Sequence, residues 1–62
     1  MEIPRWVDER EVSRIIGVAV QTLRNWRFQQ RGPVYSKVGR SVRYRVDEVI
    51  CFMEQKRVST EN

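Results

Sequence analysis

Gln21, Arg24 and Asn25 stand three and four residues apart, a spacing that sets all three on one side of a helix. Each ends in a planar group with donors or acceptors in fixed positions. The amides of Gln21 and Asn25 can donate and accept at once, as the edge of adenine requires, and the guanidinium of Arg24 fits guanine or a phosphate. Thr22 adds a hydroxyl for phosphate and a methyl for thymine, and Arg27 adds a further cation on the side it shares with Leu23 and Trp26. A second basic group, Lys37, Arg40, Arg43 and Arg45, is interleaved with Val38, Val42 and Tyr44. Other chemistry finds no material. The chain has no histidine and a single cysteine, Cys51, so neither a Cys/His zinc site nor an intrachain disulfide can form. No carboxylate pair sits beside a plausible cleft. No cofactor is expected, and an enzyme is the least favoured class.

Charge is segregated along the 62 residues. Glu2, Asp8, Glu9 and Glu11 precede Ser13, and Asp47, Glu48, Glu54 and Glu61 follow Val46. Between these blocks stand Arg14, Arg24, Arg27, Arg31, Lys37, Arg40, Arg43 and Arg45 without one acid. Ordinary surfaces mix both signs. A stretch that gathers cations and excludes anions is the footprint of a polyanion binder, although the net charge is only +4.

The elements that must position these groups are legible in turn. Asp8 and Glu11 form an acidic capping box flanked by the staple pair Val7 and Val12. Val12, Ile15 and Ile16 give an apolar face, and Gly17 a left-handed stop, which predicts a helix over 9–16. Val18 and Leu23 staple a second helix, predicted over 20–30, whose N-cap, Ala19, has no oxygen to offer the first turn. Leu23 and Trp26 point inward. Phe28 falls on the outward arc but is expected to pack under Tyr35. Gly32-Pro33 is the expected stop. Two alternating runs then predict a hairpin. A three-residue loop, Gly39-Arg40-Ser41, would pair Val38 with Val42 and leave Lys37, Arg43 and Arg45 on one face, whereas a two-residue turn would mix the faces. A last helix is expected to begin at Asp47 as N-cap, with Val46, Val49, Ile50 and Met53 inward and Cys51 partly buried. The expectation is a mainly α fold with a small β-hairpin, a winged helix-turn-helix of order helix, helix, strand, strand, helix. It would span 6–57 as one domain, with flexible ends at 1–5 and 58–62. No run of about 18 apolar residues could span a membrane and the N-terminus lacks the order of a secretory signal, so a cytoplasmic location is expected.

Two helices joined by Gly17-Val18-Ala19 have the anatomy of a helix-turn-helix, whose second helix enters the major groove of DNA. Arg40, at the hairpin tip, suits a narrow minor groove, and Lys37, Arg43 and Arg45 suit phosphates. The runs Val18-Ala19-Val20-Gln21-Thr22-Leu23-Arg24-Asn25-Trp26-Arg27, Gly32-Pro33 and Lys37-Val38-Gly39-Arg40-Ser41-Val42-Arg43-Tyr44-Arg45 resemble those of AlpA-type prophage regulators, close to MerR-like phage excisionases. The resemblance covers about 6–53. It implies a winged helix-turn-helix that touches DNA through Gln21, Thr22, Arg24 and Asn25 in the helix and Arg40 and Arg43 in the wing. Leu23, Trp26, Tyr44 and Val49 would be structural. The chain departs from the family pattern at Ala19-Val20, where relatives carry Ser or Thr, often followed by Pro.

The leading expectation is therefore sequence-specific binding of double-stranded DNA as a phage or prophage transcriptional regulator or excisionase. It would act in the cytoplasm, at the nucleoid of a bacterial or phage-infected cell. A monomer would gain site length from other copies on tandem sites, and a recombinase is a second candidate partner. The competing class is a protein-interaction module acting with a recombinase or regulator. An RNA binder would need more stacking aromatics than Tyr35 and Tyr44 supply.

Overall fold

Capping at both ends defines the first helix, α1 (Glu9–Ile16), in a computed structural model that describes residues 3–59. Asp8 accepts from the Glu11 N–H at 3.0 Å. At the other end Gly17, at φ +86°, donates its N–H to the Ser13 carbonyl at 2.8 Å. Ser13 Oγ then donates to the Val18 carbonyl at 2.5 Å, pinning the turn that leads onward. The second helix, α2 (Val20–Phe28), starts at Ala19 without a side-chain cap.

Helix α2 stops two residues earlier than the sequence suggested. Gln30 takes a left-handed φ of +58°. Its N–H donates to the Arg27 carbonyl at 3.1 Å, and the Arg31 N–H to that of Trp26 at 2.8 Å. This is a Schellman stop built on glutamine. Gly32 has a different task. A Cβ there would lie 2.9 Å from Cε3 of Trp26, so its bareness lets the chain pass over the indole.

The sheet is three-stranded and antiparallel: β1 (Trp6–Val7), β2 (Ser36–Val38) and β3 (Ser41–Arg45), in the order β1-β3-β2. Strand β1 was not foreseen. It pairs Trp6 with Arg45 and Val7 with Tyr44, so the N-terminal segment borders the hairpin. The hairpin register also corrects the expectation. Val38 pairs with Ser41, Lys37 with Val42 and Ser36 with Arg43, which leaves the two-residue turn Gly39-Arg40. Positive φ falls on Gly39 alone of the two, at +62°. That is the type II′ pattern, whose twist suits a hairpin, whereas a longer loop would ask Ser41 for a left-handed conformation. The mixing of faces follows. Val38 is 69% exposed, Lys37 shares a side with Val42, and in return the Tyr35 ring lies 6.0 Å from that of Tyr44.

Helix α3 (Val46–Gln55) follows β3 without a linker, so Arg45 and not Asp47 occupies the N-cap position. Asp47 lies in the first turn, where it accepts from the Glu48 N–H at 2.8 Å. The Val46 N–H donates to the Arg5 carbonyl at 3.0 Å, tying down the chain just before β1. The flexible ends expected at 1–5 and 58–62 fall partly on residues 1–2 and 60–62, outside the described residues.

Each element except β2 sends one side chain into the core: Val7, Val12, Leu23, Tyr44 and Val49. Ile16, Val18, Trp26, Val42 and Val46 pack around them, and the Trp26 and Phe52 rings meet at 5.7 Å to join α2 to α3. Phe52, not Ile50, is therefore the inward partner on α3; Ile50, Cys51 and Met53 are exposed. The expected packing of Phe28 under Tyr35 is absent, since Phe28 is 90% exposed. The order helix, helix, hairpin, helix is as the sequence led one to expect, with β1 added.

Two substitutions test this account of α2. Ala19→Ser supplies the missing cap and is expected to add about 1 kcal/mol, read as a higher melting temperature; no gain would show that Ala19 is not the cap. Gln30→Gly removes the left-handed penalty and is expected to add about 0.5–1 kcal/mol. A loss there would mean that the glutamine side chain is held by contacts that outweigh its backbone strain.

Candidate nucleic-acid interface

The outward side of α2 carries Gln21, Arg24 and Asn25, all exposed, with Thr22 half-buried beside them. Gln21 Nε2 donates to Asn25 Oδ1 at 3.1 Å, so the two amides are already aligned one helical turn apart. Arg24 extends towards α1 and grips Glu9 with both sides of its fork, Nε to Oε1 at 3.4 Å and Nη2 to Oε2 at 2.8 Å. Its side chain nevertheless remains 55% exposed.

Arg27 is placed differently. Its side chain is only 17% exposed. Nη2 donates to Glu9 Oε1 at 3.0 Å and Nη1 to the Tyr44 hydroxyl at 2.9 Å, and Cζ stands 5.7 Å over the Tyr35 ring. This guanidinium joins α1, α2 and β3 inside the fold. The shared carboxylate responds to both arginines. The hydrogen bond from Arg24, aided by that from Arg27, holds the Glu9 carboxyl below the usual range against partial burial. Glu9 in turn raises Arg24. Burial alone would lower Arg27, but its bonds to Tyr44 and Glu9 outweigh that and leave it raised.

Between α2 and the wing lies an open cleft of about 410 Å³. Arg24, Arg27, Arg40 and Arg43 line it against Asp8 and Glu9, which leaves it net positive. Arg40 occupies the wing turn and Arg43 the strand after it, where Nη1 donates to the Val42 carbonyl at 2.9 Å. Lys37, Arg40 and Arg43 are exposed and make no ion pair among the described residues. Arg45 does not line this cleft. It pairs with Asp47 at 2.8 Å, its Cζ stands 5.9 Å over the Trp6 ring, and its Nε is buried without a partner.

The structure thus gathers Arg24, Arg27, Arg40 and Arg43 at one cleft, with Gln21, Thr22 and Asn25 on the adjoining helix and Lys37 on the wing. Sequence reasoning missed Glu9 as the carboxylate that organises the cleft, since its partners lie 15 and 18 positions away and local pattern gives no sign of them. Among the described residues no group of side chains could hold a metal ion, and no helix is long and apolar enough to cross a membrane.

Residues 6–57 match the family model described as a helix-turn-helix domain, and the chain belongs to that family. A comparison with curated proteins found no match. Membership points to DNA as the partner, and domains of this family are typically non-enzymatic.

Glu9 gives the site a pH signature. A carboxyl whose folded pKa is depressed adds stability in full above its unfolded value, about 4.3, and loses it as pH falls through the lower folded value. The melting temperature is therefore expected to drop on acidification below about pH 4.3. Glu9→Gln should flatten that limb and cost on the order of 1 kcal/mol at neutral pH. An unchanged acid limb in the variant would remove Glu9 as its source.

Proposed function

We propose that this helix-turn-helix domain binds double-stranded DNA sequence-specifically, with α2 in the major groove and the Gly39-Arg40 turn in the adjacent minor groove. The observation that carries this reading is the arginine-lined cleft, with aligned amides on one side of it and an unpaired basic wing on the other. Gln21, Arg24 and Asn25 read base edges, Thr22 meets phosphate or a thymine methyl, and Arg40 follows the minor groove. Lys37, Arg43 and Arg45 neutralise phosphates, Arg45 from the far end of β3. Arg27 serves the same surface chiefly by holding α2 against the wing, with its remaining exposed edge turned to the cleft. Residues 6–57 form the binding unit.

A single module of this size buries about 600–1,000 Å² of its own surface on DNA, which favours additional copies on tandem sites. With the likeness to AlpA-type regulators and MerR-like excisionases, this supports a role in phage or prophage transcription or excision, at the nucleoid and alongside a recombinase in the second case. The alternative, a protein-interaction module, draws on the exposed Ile50, Cys51 and Met53 of α3. That surface is separate from the cleft, so charge removal at the wing would spare it.

Binding to random duplex DNA across a salt series, followed by selection from a random library, tests the reading. The affinity constant is expected to fall with slope about 0.9 per phosphate neutralised, and a motif of a few base pairs should be enriched. Arg24→Ala or Asn25→Ala should weaken the selected site by about 1–3 kcal/mol while barely affecting random DNA. Arg40→Ala should reduce the salt slope. No binding at low salt would overturn the proposal in favour of the interaction module.

A further inference from the structure

The outward side of α2 is not wholly polar. Phe28, its last residue, is 90% exposed. At about 100° per residue it projects between Gln21 and Arg24, in the middle of the arc those residues share with Asn25. The rings of Trp26 and Phe52 pair with each other, as do those of Tyr35 and Tyr44, and Phe28 joins neither pair. The backbone that carries it is nonetheless fixed. The next residue, Gln29, donates its N–H to the Asn25 carbonyl at 2.9 Å, and the Schellman stop closes immediately behind it. A large apolar side chain therefore leaves a fixed backbone about 4.5 Å along the helix from Asn25, contributes nothing to the core, and lies on the arc of the polar readers.

We infer that Phe28 is a specificity residue, an apolar reader of a thymine methyl group one base pair beyond the base met by Asn25. This rests on the reading given under Proposed function and deepens it. The major groove presents one apolar feature, the C5 methyl of thymine, and a phenyl ring is among the groups that match it. The helical backbone that carries the ring is already formed in the free protein, and the exposed amides of Gln29 and Gln30 border it with groups suited to the groove edge.

The test replaces each thymine of the selected motif by uracil, which differs only in lacking the methyl, and measures the dissociation constants of the wild-type chain and of Phe28→Ala. One position is expected to weaken wild-type binding by about fourfold, the weight of one buried methyl group, and to leave Phe28→Ala indifferent. Restoring the methyl as 5-methylcytosine opposite guanine at that position should recover part of the loss relative to cytosine. Phe28→Ala should melt at the wild-type temperature. If a motif is enriched but no uracil position matters, or if the variant loses as much as the wild type, Phe28 does not read the methyl and the DNA proposal stands without it. A wild-type dimer in sedimentation that Phe28→Ala dissolves would assign the ring to contact between copies and overturn the inference. Failure of the wild-type chain to bind DNA at all would overturn the parent reading instead.

Discussion

One carboxylate fixes the geometry on which the rest depends. Glu9 leaves α1 to meet both Arg24 and Arg27 of α2, and Arg27 passes the connection to the Tyr44 hydroxyl on β3. Apolar contact is non-directional, and a core of three valines, one leucine and one tyrosine does not by apolar contact alone define how a helix is set against a hairpin. Hydrogen bonds can. Tyr44 is 1% exposed, so its hydroxyl needs a partner near the surface of the core, and Arg27 supplies it from the one element whose angle to the wing matters. Leu23, one turn before Arg27, is fully buried on the same helix. The apolar anchor and the ionic anchor thus hold α2 at successive turns, and the faces opposite them are left free.

The arginines divide their labour accordingly. Arg27 is taken into the fold, Arg45 is engaged by Asp47 and Trp6, and Arg24 is shared between Glu9 and the open face. Lys37, Arg40 and Arg43 alone of the cleft and wing cations lack an acidic partner among the described residues. An acid-free run of sequence therefore overstates the cations available to a ligand, because acids from the flanking blocks fold back onto it. What the run does preserve is the sign of the cleft, which four arginines set against two carboxylates.

Legibility followed the range of the interactions. The cap at Asp8, the stop at Gly17 and the uncapped Ala19 depend on residues a few positions apart, and each was readable; the reciprocal half of the capping box is not formed, since Glu11 pairs with Arg14. The inward roles of Leu23, Tyr44 and Val49 followed from periodicity. The hairpin misled because alternation of apolar residues was weighed above turn chemistry. Gly39 can adopt positive φ at no steric cost, and that preference, with the Tyr35–Tyr44 contact, outweighs the exposure of Val38. Asp47 misled because nothing local shows that a strand runs straight into a helix. Strand β1, two residues long, exists only through its partner, and Glu9 acquires its role from residues far along the chain.

The departures from ideal local structure are not scattered. Helix α1 is capped at both ends, whereas α2 begins on a residue that cannot cap, ends on a left-handed glutamine and exposes a phenyl ring. The first two cost stability, the third forgoes burial that would add to it, and a domain this small has little to spare. Local rules tend to be broken where function asks for something that stability does not. The bare Ala19 leaves the first turn without a side-chain cap. The stop at Gln30 ends the helix directly behind Phe28, so the ring sits at the rim of the outward face and is not carried round by another turn. The Glu9–Arg27–Tyr44 connection, formed on the adjoining side of the same helix, is what allows α2 to tolerate these weaknesses without losing its angle to the wing.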